Sequence, residues 1–545
     1  MVTAPAAPPS TRVKWLSLLV LSLALAIIII DGTVLNVSIA YLIRDLHTDI
    51  QHIQWVITSY SLVIAALTIV GGRLGDFFGR KKMFMLGAII FAVGSFTSSI
   101  STDVNTLLLG WSLIEGIGAA LMMPATVSLV MSTFSGRDRA IAFGVWGGIA
   151  GAVAAVGPIL GGFFTTYYSW HWAFRINIVT VAILLLGSLL IKESRDDKHR
   201  ISWDIPGILL SSIGLVSLVY GIIESTDYGW WKAKQAYPLW GQNLSPLGLS
   251  VVPCLFGTGL LLLCLFVLWE VHTEKGGRMP LLSVKLFQSK QFSAGIVTTA
   301  VLTLGQSGLI FALPVFLQTV KGLDAIHTGL ALIPMSITML IMAPLGAALN
   351  RKIIPRHLIQ LGLLINMIAL FVLRSEISVS ATAATLRPGL ILYGLGMGLV
   401  MAQITNITLS GVEVQAAGQA AGINATMRQV GQSLGTAIIG AIFLTSLTGN
   451  VTTAVNANTV LPAIAKPAII EKLSNTNSQF ETASQDSGSL TAFPQLVGVV
   501  VDIKNQSMVD ANRSSLFYTS GFVVLCFAAT LFLPRVKASE RHGEA

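Results

Sequence analysis

Apolar runs about as long as a bilayer is thick recur along nearly the whole chain, and that recurrence constrains the fold more than any motif. About 20 consecutive apolar residues cross a membrane as a helix, and fourteen such runs can be marked. They lie at about 15–41, 53–72, 83–100, 105–131, 139–165, 172–191, 204–223, 248–270, 291–318, 327–349, 357–373, 387–410, 416–446 and 515–533. Of the 545 residues 53% are hydrophobic and only 11% charged, so the class is an all-α polytopic membrane protein. The net charge of +9 does not point to nucleic acid, because Lys and Arg fall in short clusters between the runs. Cys254, Cys264 and Cys526 lie within runs with no CxxC spacing, which excludes a disulfide framework and a zinc site.

An even number of spans puts both termini on one side, and charge says which. With the N-terminus inside, 22 Lys and Arg fall on the inner segments and 11 on the outer ones. That bias predicts cytoplasmic termini in a cell membrane, the inner membrane of a bacterium. The expected layout is a disordered 1–14, a bundle over 15–191, two further membrane helices with linkers over 192–290, a second bundle over 291–533 and a tail over 534–545. The second bundle includes a Ser/Thr/Asn/Gln-rich outer loop at 450–513, read as a lid or spacer with short amphipathic helices. Aromatics after the seventh span (Tyr228, Trp230, Trp231, Tyr237, Trp240) read as an interfacial belt.

Inside the first run, four isoleucines precede Asp31-Gly32-Thr33-Val34-Leu35-Asn36. A carboxylate at that depth, roughly 25 Å from Lys14 at 1.5 Å per residue, is costly unless it faces a cavity or a partner. Asp31 is therefore a functional candidate, with Asn36 beside it. The inner loop after span two reads Gly71-Gly72-Arg73-Leu74-Gly75-Asp76-Phe77-Phe78-Gly79-Arg80-Lys81-Lys82. Its glycines permit a tight turn and close helix approach, and Asp76 can face a helix N-terminus or pair with an arginine. This loop closely resembles the signature loop of the major facilitator superfamily, which implies a gate made by Gly72, Asp76, Gly79 and Arg80. A fainter echo at Gly346–Arg356 has Asn350 where the first copy has Asp76.

Span five ends in Gly157-Pro158-Ile159-Leu160-Gly161-Gly162, a kink flanked by small residues. It resembles the antiporter motif of the same superfamily, which implies export. The stretch from Asp31, the stretch from Ala417 to Gly431, and Ser169-Trp170-His171-Trp172-Ala173-Phe174-Arg175-Ile176-Asn177 are similar to the fourteen-span drug:proton antiporter family. The resemblance implies two six-helix bundles related by pseudosymmetry, with spans seven and eight between them.

One departure matters. Where that family has an Arg on span four and a Gln three residues later, this chain has Ser112 and Glu115. A fixed cation is lost and a titratable acid gained, so the family's proton-relay Arg cannot be carried over. Asp31 and Glu115 are expected to share the proton and cation work, against the alternative that Glu115 is a neutral packing residue. Arg428 in span thirteen is either a substrate-side counter-ion or a clamp onto backbone carbonyls.

Gly431-Gln432-Ser433-Leu434-Gly435 fits GxSxG but lies in an apolar helix rather than a strand-to-helix turn, and no phosphate-binding loop or metal spacing is present. The expectation is a secondary exporter with no enzymatic activity and no cofactor, driven by the proton gradient. Its partners would be protons, the bilayer and lipophilic, cationic or amphipathic small molecules, and it would work as a monomer. A dedicated exporter of an endogenous lipid, siderophore or metabolite, and a non-transporting sensor on the same fold, are the alternatives.

Overall fold

Within the described residues the apolar runs have become helices, because only a helix satisfies its own backbone where no water competes. The computed structural model describes residues 11–134, 159–194, 204–234, 237–239, 242–244, 249–276, 280–349, 353–409, 417–474 and 494–533, with positions 138, 142, 149, 153, 156, 157 and 412. The helices are α1 (Thr11–Val34), α2 (Ile39–Asp45), α3 (Ile50–Phe78), α4 (Arg80–Ser98), α5 (Val104–Thr133) and α6 (His171–Gly187). Then come α7 (Ile205–Tyr228), α8 (Val251–Lys275), α9 (Lys290–Thr319), α10 (Ala325–Leu349) and α11 (Pro355–Glu376). The last are α12 (Ala383–Leu409), α13 (Ala417–Ala457), α14 (Lys466–Ser474) and α15 (Pro494–Thr530).

Twelve of the helices, among the described residues, are long and apolar enough to cross a membrane. They coincide with twelve of the fourteen expected runs. The fifth run falls largely outside the described residues, including Gly144, Gly147, Gly148, Gly151 and Pro158, as does the inner loop at Glu413. The fourteenth is the far part of α15, which starts at Pro494, well ahead of the expected 515. The expected outer loop is thus largely the continuation of α13 to Ala457, the short α14 and the first half of α15.

Helix starts follow from side chains that accept the first free N–H groups. Asp49 caps α3 through His52 N at 2.8 Å, Asp103 caps α5 through Thr106 N at 2.9 Å, and Asp324 accepts from His327 N at 2.7 Å. Within the spans, hydroxyls such as Thr68 and Thr299 donate to the carbonyl one turn back, so they need no partner from lipid.

Two bundles result. In the first, α1 packs on α5 and α6, and α4 on α5 and α6; in the second, α9 packs on α13 and α15, and α12 on α10 and α11. They meet along α3 and α13. The described hydrogen bonds between them gather in the half away from the chain termini. Gln318 donates to Val37 O (2.8 Å) and accepts from Ala40 N (3.2 Å), and Gln54 donates to Thr436 O (3.1 Å). Ile326 N donates to Thr166 Oγ1 at 3.1 Å, and Gly162 lies so close to Ala325 and Ile326 that a Cβ would collide with their backbone.

The extra helices α7 and α8 pack on each other, and α7 also fills the groove between α3 and α13. Val219, Ile222 and Ile223 of α7 are buried there against Leu62, Ala437 and Ala441. A two-stranded antiparallel hairpin, Tyr237–Leu239 with Gln242–Leu244, joins them, and Trp230 stacks on Phe256 with centroids 6.0 Å apart. At their other end Asp204 accepts from Gly207 N (3.1 Å) and Trp269 Nε1 (2.6 Å), and Glu270 accepts from Leu282 N (3.1 Å). Glu274 accepts from Val284 N at 3.1 Å, so three carboxylates fasten the strap into the second bundle.

Candidate functional site

The π-helical stretch Leu108–Glu115 sets the geometry of the first bundle. A widened turn of this kind inserts one residue into a helix and re-aims the side chains around it, and it is frequent at functional sites. Here Trp111 and Glu115 both point inward and are buried. Gly94 of α4 lies against this turn so closely that a Cβ would strike Gly110 O at 2.6 Å and the Glu115 Cβ at 2.7 Å. Ser112, at the position of the missing Arg, donates to Val56 O at 2.7 Å and so ties α5 to α3.

Asp31 and Glu115 meet in this interior. Asp31 is 1% exposed and Glu115 is not exposed at all. The Asn177 amide of α6 donates to Asp31 Oδ1 and to Glu115 Oε1, both at 3.0 Å. Trp111 Nε1 donates to Asp31 Oδ2 at 2.6 Å, and Ser95 Oγ to Glu115 Oε1 at 2.6 Å. Glu115 Oε2 is buried with no hydrogen-bond partner among the described residues. Trp111 is held by stacking on Tyr60 (centroids 5.1 Å apart, planes at 18°) and by the edge of Phe174 at 6.1 Å. No Lys, Arg or His donates to either carboxyl group among the described residues; its neighbours are an amide, an indole and a hydroxyl.

The site was therefore only half visible in the sequence. Asn177 sits in a stretch singled out for its resemblance, but nothing marked it as the bridge. Trp111, Tyr60 and Ser95 carried no signal in the sequence. Either Glu115 or Arg428 had been expected to complete the Asp31 site; the described hydrogen bonds link Asp31 to Trp111 and Asn177, and through Asn177 to Glu115.

The remaining candidates are arranged around this pair. Gly157 and Gly161 seat span five on α1 just after Asp31: a Cβ on either would collide with Thr33 or with Val34 O. Pro158 and the side chains of Asn36 and Asp76 lie outside the described residues. At the signature loop, Gly79 takes φ +108°, a region that disfavours L side chains, and the Glu193 carboxylate stands where its Cβ would be. Glu193 accepts from Lys81 N (2.9 Å) and Lys82 N (3.2 Å), so the end of the first bundle caps α4. Arg80 N donates to Ser194 O at 2.9 Å, and a Cβ added at Gly72 would come to 3.5 Å from Pro124 Cβ, an ordinary contact. Arg73 reaches Pro280 O, in the strap after α8. In the second half, Arg356 is buried and donates to Leu533 O at 2.9 Å.

Arg428 stands apart. It lies about three turns into α13, deep within the protein and yet solvent-exposed. It makes no hydrogen bond or ion pair among the described residues, so the clamp onto carbonyls is not what the structure holds.

The comparisons with known proteins agree with this architecture. The family model described as Major Facilitator Superfamily matches residues 21–436. The chain belongs to the Major Facilitator Superfamily. A tetracenomycin C resistance and export protein of Streptomyces glaucescens is 28% identical over 97% of this chain and 93% of its own. A puromycin resistance protein of Streptomyces alboniger is 31% identical over 79% of this chain and 82% of its own. Among solved structures, a bacterial homologue of the human lysosomal transporter Spinster superposes with a TM-score of 0.59 at 16% identity, covering 96% of this chain and 98% of the other. The Major Facilitator fold expected from the sequence is thus present, and the protein is a multi-pass membrane transporter of this superfamily.

Proposed function

We propose that this protein exports lipophilic small molecules across the bacterial cell membrane in exchange for protons, by alternating access. The carrying observation is the buried Asp31–Glu115 pair bridged by Asn177, with no Lys, Arg or His bonded to it among the described residues. Two carboxylates that share one donor in a low-dielectric interior repel each other when both are charged. Taking up one proton removes that repulsion, and Glu115 Oε2 is the carboxyl oxygen of the pair with no donor among the described residues. With both termini taken as cytoplasmic, the end closed by Gln318, Gln54 and Gly162 is the outer end, and the cycle starts from a state closed to the outside. Substrate enters from inside. Rocking about α3 and α13 then opens the outer end, and protonation of the pair from outside accompanies release.

The signature loop supports the same cycle. Glu193 and Ser194 hold the α3–α4 turn through bonds to backbone N–H groups, which can break and re-form without unfolding a helix. Gly157 and Gly161 place this end of span five directly on the turn that follows Asp31, so that segment and the proposed proton site share one contact. The curated relatives support export as the direction, because one of them is described as a resistance and export protein. Both relatives are named for a single antibiotic, which favours, as a second reading, an exporter dedicated to one metabolite.

The test is transport in proteoliposomes with Asp31→Asn and Glu115→Gln. Proton-coupled extrusion should fall by about 100-fold or more in each, the scale of about 3 kcal/mol for a buried ionised hydrogen-bonded group. Full proton-coupled transport in both variants would sink the assignment.

A further inference from the structure

An unpaired guanidinium inside a membrane protein calls for an explanation, because it is expensive there unless water or an anion solvates it. The positions around Arg428 say where it points. Ala437, nine residues further along α13, is buried against α7, and nine steps of about 100° bring the helix half a turn around. Arg428 therefore faces away from α7. Gly431 and Gly435 seat α13 on α9 at the carbonyls of Ala300 and Leu304, while Ser433 donates to Thr58 O of α3 at 3.4 Å. The remaining arc, between α9 and α3, looks into the space between the bundles, and there Arg428 is exposed.

Among the described residues no acid forms an ion pair with it. Neither α9 nor α13 contains an Asp or Glu, and the one acid of α3, Asp76, is at its far end. The intramembrane acids Asp31 and Glu115 are buried in the other bundle, with Trp111, Asn177 and Ser95 already donating to them. One turn before Arg428, Asn424 is 4% exposed and its Oδ1 has no partner among the described residues. An acceptor with nothing to accept, one turn from a donor group with nothing to receive it, matches a ligand that carries both an anionic oxygen and a hydroxyl or N–H.

We propose that Arg428 is the anion-binding end of the substrate site and that the transported molecules are lipophilic weak acids, carried as carboxylates or phenolates. This rests on the exporter reading above and replaces the expected cationic substrate with an acidic one. Arginine suits the role, since its planar fork binds a carboxylate through two parallel bonds. The charge balance also differs. A monovalent anion leaving as one proton enters moves two positive charges inward, so an inside-negative potential drives it, whereas a monovalent cation exchanged for one proton moves none.

The test uses full-length protein and three probes: anthracene-9-carboxylate, its methyl ester and tetraphenylphosphonium. Binding is followed by tryptophan quenching in detergent. Transport is followed in proteoliposomes under a pH gradient, with and without a potassium–valinomycin potential and against protein-free vesicles. The carboxylate should bind roughly 10- to 100-fold tighter than the ester, the range for a charge-assisted hydrogen bond. Arg428→Gln should abolish that difference while leaving ester binding intact, and Arg428→Lys should keep part of it. Carboxylate transport should accelerate with a potential that is negative on the cytoplasmic side.

Equal loss of acid and ester binding in Arg428→Gln would make the residue structural and overturn the proposal. So would transport of tetraphenylphosphonium in preference to the acid. Absence of proton-coupled movement for every probe would instead remove the exporter reading, with the binding arm still deciding the role of Arg428.

Discussion

Two carboxyl pairs in this chain look alike and are built for different tasks. Asp31 and Glu115 sit in the first bundle; Asp204 and Glu270 sit at the end of the extra helices. In each, an indole donates to the aspartate at 2.6 Å, from Trp111 in one and Trp269 in the other. In each, one glutamate oxygen is buried without a partner among the described residues, Glu115 Oε2 and Glu270 Oε1. The other donors differ. The first pair is served by side chains, Asn177 and Ser95, which can rotate when a proton arrives. The second is served by the backbone N–H groups of Gly207 and Leu282, which move only if the chain moves. Similar groups therefore make a site that can change its charge in one place and a staple in the other.

Paired substitutions can break this contrast. Glu115→Gln should reduce proton-coupled transport by about 100-fold or more, while Glu270→Gln, which keeps an acceptor for Leu282 N, should leave it within about twofold, as read by initial rates in proteoliposomes. Comparable losses in the two would erase the distinction. Trp111→Phe keeps the stacked ring but deletes the donor to Asp31, and should lower transport by about tenfold, the equivalent of one charge-assisted bond. Trp269→Phe should leave the rate unchanged and appear only in thermal stability. The smallest effect is expected from Glu270→Ala. It strands Leu282 N–H at about 1–3 kcal/mol and should lower the unfolding midpoint in detergent without changing the proton dependence of transport.

Much of the fold was legible, because the bilayer forces each long apolar run into a helix whatever its neighbours are. Asp31 and Glu115 were legible for the same reason, as acids where acids are costly. Their bridge was not. Asn177 lies 146 residues from Asp31 and 62 from Glu115, and that proximity exists only after α6 has packed beside α1 and α4. The widened turn at Leu108–Glu115 carries no periodic signature, since the apolar pattern is the same with one residue more per turn. Glu193 was hidden too: a charged residue at the end of a span reads as an interfacial anchor, and its bonds to Lys81 N and Lys82 N depend on a contact across the bundle. Helix continuation past Ser446 and ahead of Ser515 was missed because polar residues continue a helix outside the bilayer as readily as apolar ones do within it.

The extra helix α7 has a consequence for how cargo arrives. By filling the groove between α3 and α13 it puts Val219, Ile222 and Ile223 between that seam and the surrounding lipid. A hydrophobic compound dissolved in the membrane leaflet meets the outer surface of a helix there instead of a slot between bundles. Sideways entry along this seam is shut, and Gly162 against the backbone of Ala325 shuts the outer half of the seam between span five and α10 as well.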